Sequence, residues 1–166
     1  MPTSPHGRVS IAMTTDDPRH PSTVTDDYWV RAHAPDSHSL TKEAIDFVGK
    51  WLVFVYMQDL DTTWAAIREA TASGKLGIEA KAATARENPL GTKPGVKLIC
   101  VYTRDCRDLD DVRRVLAGLR ELGITYRLNY KTDDATYAGE YGAGVSLYTS
   151  DPDSEEFHVP KSRRKR

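Results

Sequence analysis

The residues best suited to chemistry lie in the run Tyr130-Lys131-Thr132-Asp133, with Thr136 and Tyr137 just beyond. A strand over residues 124–130 would put Arg127 and Asn129 on one face, with Lys131 following at its end. Guanidinium, amide and ammonium groups gathered there suit a phosphate or a carboxylate. The alternative is a solvated strand face running into an Asp-containing turn. A second set is Lys81, Thr84, Arg86 and Asn88. If that stretch is extended, Lys81 shares a face with Glu79 and either meets a ligand anion or pairs with that glutamate. Trp51 and Trp64 fall where apolar periodicity predicts burial, which opposes a base-stacking role. Trp29, beside Tyr28, has two readings: it docks the N-terminal segment or stacks on a ligand.

The missing motifs narrow the chemistry. The chain has no G-x-x-x-x-G-K-[ST] loop, no G-x-G-x-x-G turn, no H-E-x-x-H and no G-x-S-x-G elbow. Its histidines, His6, His20, His33, His38 and His158, all lie outside residues 39–157. That argues against a histidine triad or metal cage on the core elements. The acidic group Asp105, Asp108, Asp110 and Asp111 is explained by helix capping and dipole complementarity, so no metal is expected. No cofactor is implied, and no catalytic residue is assigned. Cys100 and Cys106 match no metal or redox spacing and read as thiols in a reducing compartment.

The elements that must position these groups follow from patterning. Residues 51–57 are apolar on both faces and predict a central strand. Asp59 or Asp61 caps the next helix, whose stripe is Leu60, Trp64, Ile67 and Ala70 and which Gly74 ends. Residues 78–86 predict a short strand, and Val96 to Tyr102 an interior one. Asp108 starts a second helix with the stripe Leu109, Val112, Leu116 and Leu119, closed by Gly123. Ile124 to Tyr130 alternates as a half-buried strand, and residues 144–150 supply a last short one. Strands interrupted by helices, without a regular βαβ rhythm, favour an α+β sheet with helices on one face over a doubly wound parallel fold.

At 166 residues the chain accommodates one core. Residues 27–150 are taken as a single α+β domain. Residues 1–26, with four prolines among polar residues, read as a disordered arm in which Met13 is an alternative start. Residues 151–166 read as a flexible basic tail able to contact an acidic partner. The net charge of −1 provides no global field toward nucleic acid, and no apolar run spans a bilayer, so a cytoplasmic location is expected.

Gly49-Lys50-Trp51, Asp61 and Trp64, Gly77 with Lys81 and Thr84, Asn88-Pro89, Val101-Tyr102 and Tyr130-Lys131-Thr132-Asp133 together resemble the basophilic leukemia-expressed protein family over about residues 45–142. That family is similar in fold to the messenger-RNA cap-binding translation initiation factors. The resemblance implies a curved, mainly antiparallel sheet backed by helices, with a ligand on the concave face. There tryptophans sandwich a base and basic residues hold phosphates, and Trp51 sits near the start of the corresponding strand. Similar proteins are also described as phosphothreonine lyases, which implies Lys81 or Lys131 as base, Arg86 and Arg127 as phosphate ligands, and Tyr130, Tyr137 or His158 as acid.

The expected function is binding of a phosphorylated ligand: a small molecule such as a nucleotide, an RNA end, or a phosphopeptide. The expected contacts are Lys81, Arg86, Arg127, Asn129, Lys131, Asp133, Tyr137 and Trp51. A phosphothreonine lyase-like enzyme and a protein-interaction domain are the alternatives.

Overall fold

The computed structural model describes residues 16–37, 41–89, 93–132 and 146–160. The strands are β1 (Trp29–His33), β2 (Gly49–Tyr56), β3 (Glu79–Ala83), β4 (Val96–Thr103), β5 (Leu128–Thr132) and β6 (Tyr148–Ser150). The helices are α1 (Lys42–Ile45), α2 (Leu60–Ala72) and α3 (Leu109–Glu121). The strands form one curved sheet in the order β1-β3-β4-β2-β5-β6. Every pairing in it is antiparallel, which makes the fold α+β.

Strand alternation assigns each side chain to a face. Val30 and Ala32 of β1, Trp51 and Val53 of β2, and Ile99 and Val101 of β4 are fully or almost fully buried on one face. They meet Trp64 and Ile67 of α2 and Val112, Val115, Leu116 and Leu119 of α3 in the main core. The other face carries Trp29, Arg31 and His33 of β1, Glu79 and Lys81 of β3, Cys100 and Tyr102 of β4, Lys50 of β2, and Asn129 and Lys131 of β5. A smaller cluster of Val48, Leu52, Ile78, Cys100 and Tyr102 packs on this polar face.

Helix α3 forms as its ends predict. The Asp108 carboxylate accepts from the Asp111 amide at 3.2 Å, Asp110 and Asp111 occupy the first turn, and Arg120 the last. Gly123 follows with φ of 89°. Leu109, expected on the buried stripe, is 45% exposed, and Val115 takes its place inside. Asp59 precedes α2 without a side-chain capping bond. Asp61 instead accepts from the backbone and hydroxyl of Ser22.

Three expectations change. Strand β1 was not anticipated, although Trp-Val-Arg-Ala-His pairs residue for residue with β3. Strand β5 starts at Leu128 because Arg120 draws the carbonyls of Ile124 and Tyr126 to itself at 2.8 and 2.6 Å, holding that stretch off the sheet. Pairing of β5 with β2 stops at Leu52, and beyond it the Tyr126 hydroxyl donates to the Phe54 carbonyl at 2.8 Å. The last strand covers Tyr148–Ser150, with residues 144 and 145 outside the described residues.

Residues 16–26 make contacts their composition does not suggest. Arg19 bridges Asp17, Asp26 and Asp27, and Val24 is 3% exposed. No helix among the described residues is long and apolar enough to cross a membrane.

Candidate functional site

A cavity of about 580 Å³ opens on the polar face, lined by Trp29, Lys50, Lys81, Arg86, Lys93, Lys97, Glu87 and Cys100 among others. The β-strand register explains this gathering. Lys81 lies opposite Cys100, Ala83 opposite Trp29, and Tyr102 opposite Lys50, so β1, β3, β4 and β2 each contribute one wall residue or more. The Lys81 side chain is only 1% exposed. Its ammonium sits 4.2 Å from the centroid of the Trp29 ring and 5.5 Å from that of Tyr102, two aromatic faces that favour a cation. The Lys50 ammonium stands 5.5 Å from the same Tyr102 ring. Arg86 enters from the loop after β3, its guanidinium stacked on Tyr28 at 4.1 Å and anchored to the Asp26 carbonyl at 2.9 Å.

Gly77 fixes the approach of β3 to β4. A Cβ there would lie 1.6 Å from the Tyr102 carbonyl oxygen, which accepts from the Ile78 amide at 3.0 Å.

One end of the polar face holds a buried charge cluster. Glu79, fully buried, accepts from Arg31 at 3.0 Å and lies 3.1 Å from Nε2 of His33. Nδ1 of His33 lies 3.1 Å from Asp16. Each ring nitrogen faces a carboxylate, and a neutral imidazole can donate from only one of them, so the geometry calls for the imidazolium. The bond to Glu79 raises the His33 pKa above its ordinary value, against the opposing effect of burial. A histidine therefore belongs to the sheet after all, which sequence position alone did not convey.

The sequence-derived candidates separate. Lys81 and Arg86 line the cavity. Lys131 and Asn129 share its face on β5, with Lys131 directly opposite Lys50. Asn129 also accepts from the Thr149 hydroxyl at 2.8 Å. Arg127 stands at the far end of β5, more than half exposed and paired with Asp151 at 3.0 Å, so it does not join the cavity lining.

Trp51 is corrected outright. It points to the helix face, fully buried, with its indole N–H donating to the Val112 carbonyl at 3.1 Å and its ring edge-on to Tyr130. Tyr130 is likewise in that core, bonded to Thr103 at 2.6 Å, and burial drives its phenol well above the ordinary range. His158 pairs with Thr149 at the far edge of the sheet. Asp133 and Tyr137 lie outside the described residues. Lys50 and Trp29 line the cavity as well, beyond the contacts expected from sequence. The signal for Lys50 was its place beside Trp51 on a strand whose other face is apolar.

Among the described residues, no group of three or more His, Cys, Asp or Glu side chains could hold a metal ion.

Comparison with solved structures finds Ascaris suum eIF4E-3 in complex with the m2,2,7G cap, at 21% identity and a TM-score of 0.43, over 56% of this chain and 54% of that one. It also finds C. elegans eIF4E-3 in complex with the 4E-binding protein Mextli and a cap analog, at 24% identity and a TM-score of 0.44, over 55% and 53%. The match thus spans about half the length of each of those chains. The profile of basophilic leukemia-expressed protein Bles03 matches residues 31–139, which contain the central strands and most of the cavity, and this chain belongs to that family.

Proposed function

We propose that this protein binds a phosphorylated ligand, a nucleotide or RNA end, in the polar-face cavity. The observation that carries this reading is the charge of the lining. Lys50, Lys81, Arg86 and Lys93 line the cavity against one acid, Glu87, in a chain whose overall charge is −1. A phosphate supplies oxygen acceptors for such donors, and charge-assisted bonds of this kind are the strong ones. Lys81 is held between two aromatic rings and loses little freedom when it engages an anion.

Titration calorimetry of the full chain with ATP, 5′-phosphorylated RNA and a phosphothreonine peptide tests the reading. Binding of ATP or the RNA is expected, weakened about tenfold or more by Lys81→Met, the loss of one charge-assisted contact. Absence of binding to all three, or an unchanged affinity in Lys81→Met, would remove the proposal. Binding of the peptide alone would move the ligand class to phosphoproteins, and mass analysis of that mixture would reveal any elimination of phosphate. Such elimination needs an acid at the leaving group, and no described residue lining the cavity is a histidine.

A further inference from the structure

Two further observations bear on what part of such a ligand is read. The first is the pair Lys50 and Lys131, which stand directly opposite each other on β2 and β5 and on the same face as Lys81. Like charges opposed across a sheet are destabilising, and both side chains are half-buried, where water screens them poorly. Burial, and then the Lys50 charge, hold the Lys131 pKa below its ordinary value. Lys50 also lines the cavity, so the pair continues its cationic wall. With strands about 4.8 Å apart and about 3.4 Å per residue, Lys81, Lys50 and Lys131 form a diagonal row of roughly 16 Å across the sheet, Lys81 lying two residues along β3 from Glu79, the residue in line with Lys50 and Lys131. A single phosphate does not span it.

The second observation concerns the aromatics. Base recognition by stacking needs an accessible ring face. The Trp29 ring is covered by the Lys81 ammonium and is 8% exposed. Tyr28 carries the Arg86 guanidinium, Tyr102 is fully buried, and Trp51 and Trp64 are in the main core. The exposed rings of Phe54, Tyr56 and Tyr126 line a separate cavity against α2.

From the lysine row and the covered rings we infer that the site recognises a chain of two or more phosphates and is indifferent to the base attached to it. This rests on the phosphorylated-ligand reading above. The shared chemistry is the 5′-polyphosphate of a free nucleotide or of an RNA end.

The test is titration calorimetry of the full chain with AMP, ADP, ATP, GTP, CTP, tripolyphosphate, and RNA bearing a 5′-mono- or 5′-triphosphate. ATP is expected to bind about tenfold or more tighter than AMP, a further charge-assisted contact being gained. ATP, GTP and CTP should agree within about threefold, since among the described residues the cavity presents no accessible ring face to a base. Lys131→Gln should weaken ATP toward AMP and leave AMP unchanged, with its urea midpoint showing that the fold is intact. If the triphosphorylated RNA alone binds tightly, the source is an RNA end. Equal affinity for AMP and ATP, a strong preference for one base, or an unaffected Lys131→Gln overturns the inference while leaving the phosphate site in place. No binding to any probe overturns both.

Discussion

The two faces of the sheet are both withdrawn from water, yet their contents differ. Beneath the helices, Trp51, Val53, Ile99 and Val101 are buried among Trp64, Ile67, Val112 and Leu116. On the opposite face, Glu79 and Lys81 are buried to the same degree but held by Arg31, His33 and aromatic rings. Apolar burial stabilises a fold through the area removed from water, whereas burying charge costs desolvation that its partners only partly offset. The difference teaches that the helix face carries the stability, while the polar face holds buried charge whose retention stability alone does not explain.

The largest test of that division is Trp51→Ala. It should cost about 3–5 kcal/mol in urea unfolding, from lost burial plus the cavity left in the core. A small loss would mean that the helix face is not the principal core.

Lys81→Met keeps the volume and removes the charge. It is expected to cost about 1–2 kcal/mol, the desolvated cation–π contacts with Trp29 and Tyr102 being lost while an apolar chain of similar volume fills the site. A loss as large as that of Trp51→Ala would show that the polar face is as structural as the other.

His33 gives the comparison a pH dependence. Its folded-state pKa is raised, so its contribution is fully present below the unfolded value near 6.5 and declines as pH rises through the folded value. Glu79→Gln removes the main cause of the shift and should flatten the fall in stability above about pH 6.5. The melting temperature followed from pH 6 to 9 reads both. An equally steep fall in the variant would assign the dependence to another group.

The smallest expected effect is on the helix side but outside the core. Leu109→Ser should change stability by less than about 0.5 kcal/mol in the same urea assay, since Leu109 is 45% exposed. A cost like that of a buried leucine would restore it to the stripe.

The core was legible in sequence because its signals are local and periodic. The stripes of α2 and most of α3, and the apolar runs of β2 and β4, follow from spacing alone. Strand β1 escaped because its pattern mixes Trp, Arg and His, and only the pairing with β3 makes those residues a strand. The true start of β5 depended on Arg120, a helix residue that takes carbonyls from the connection following α3. Lys81 and Arg86 were visible as cations on a short strand over residues 78–86. The roles of Trp29 and Lys50 emerge only when four strands are laid side by side, since register across β1, β3, β4 and β2 has no counterpart in linear spacing.

The hydroxyl of Tyr126 on the Phe54 carbonyl bears on the behaviour of many molecules together. Where β5 parts from β2, a strand margin beside the exposed rings of Phe54 and Tyr56 would invite another chain to continue the sheet. A phenol takes one of those backbone acceptors without extending the ladder. Tyr126 thereby withholds one backbone acceptor from an incoming strand, a contribution that concerns encounters between copies rather than the folding of any one of them.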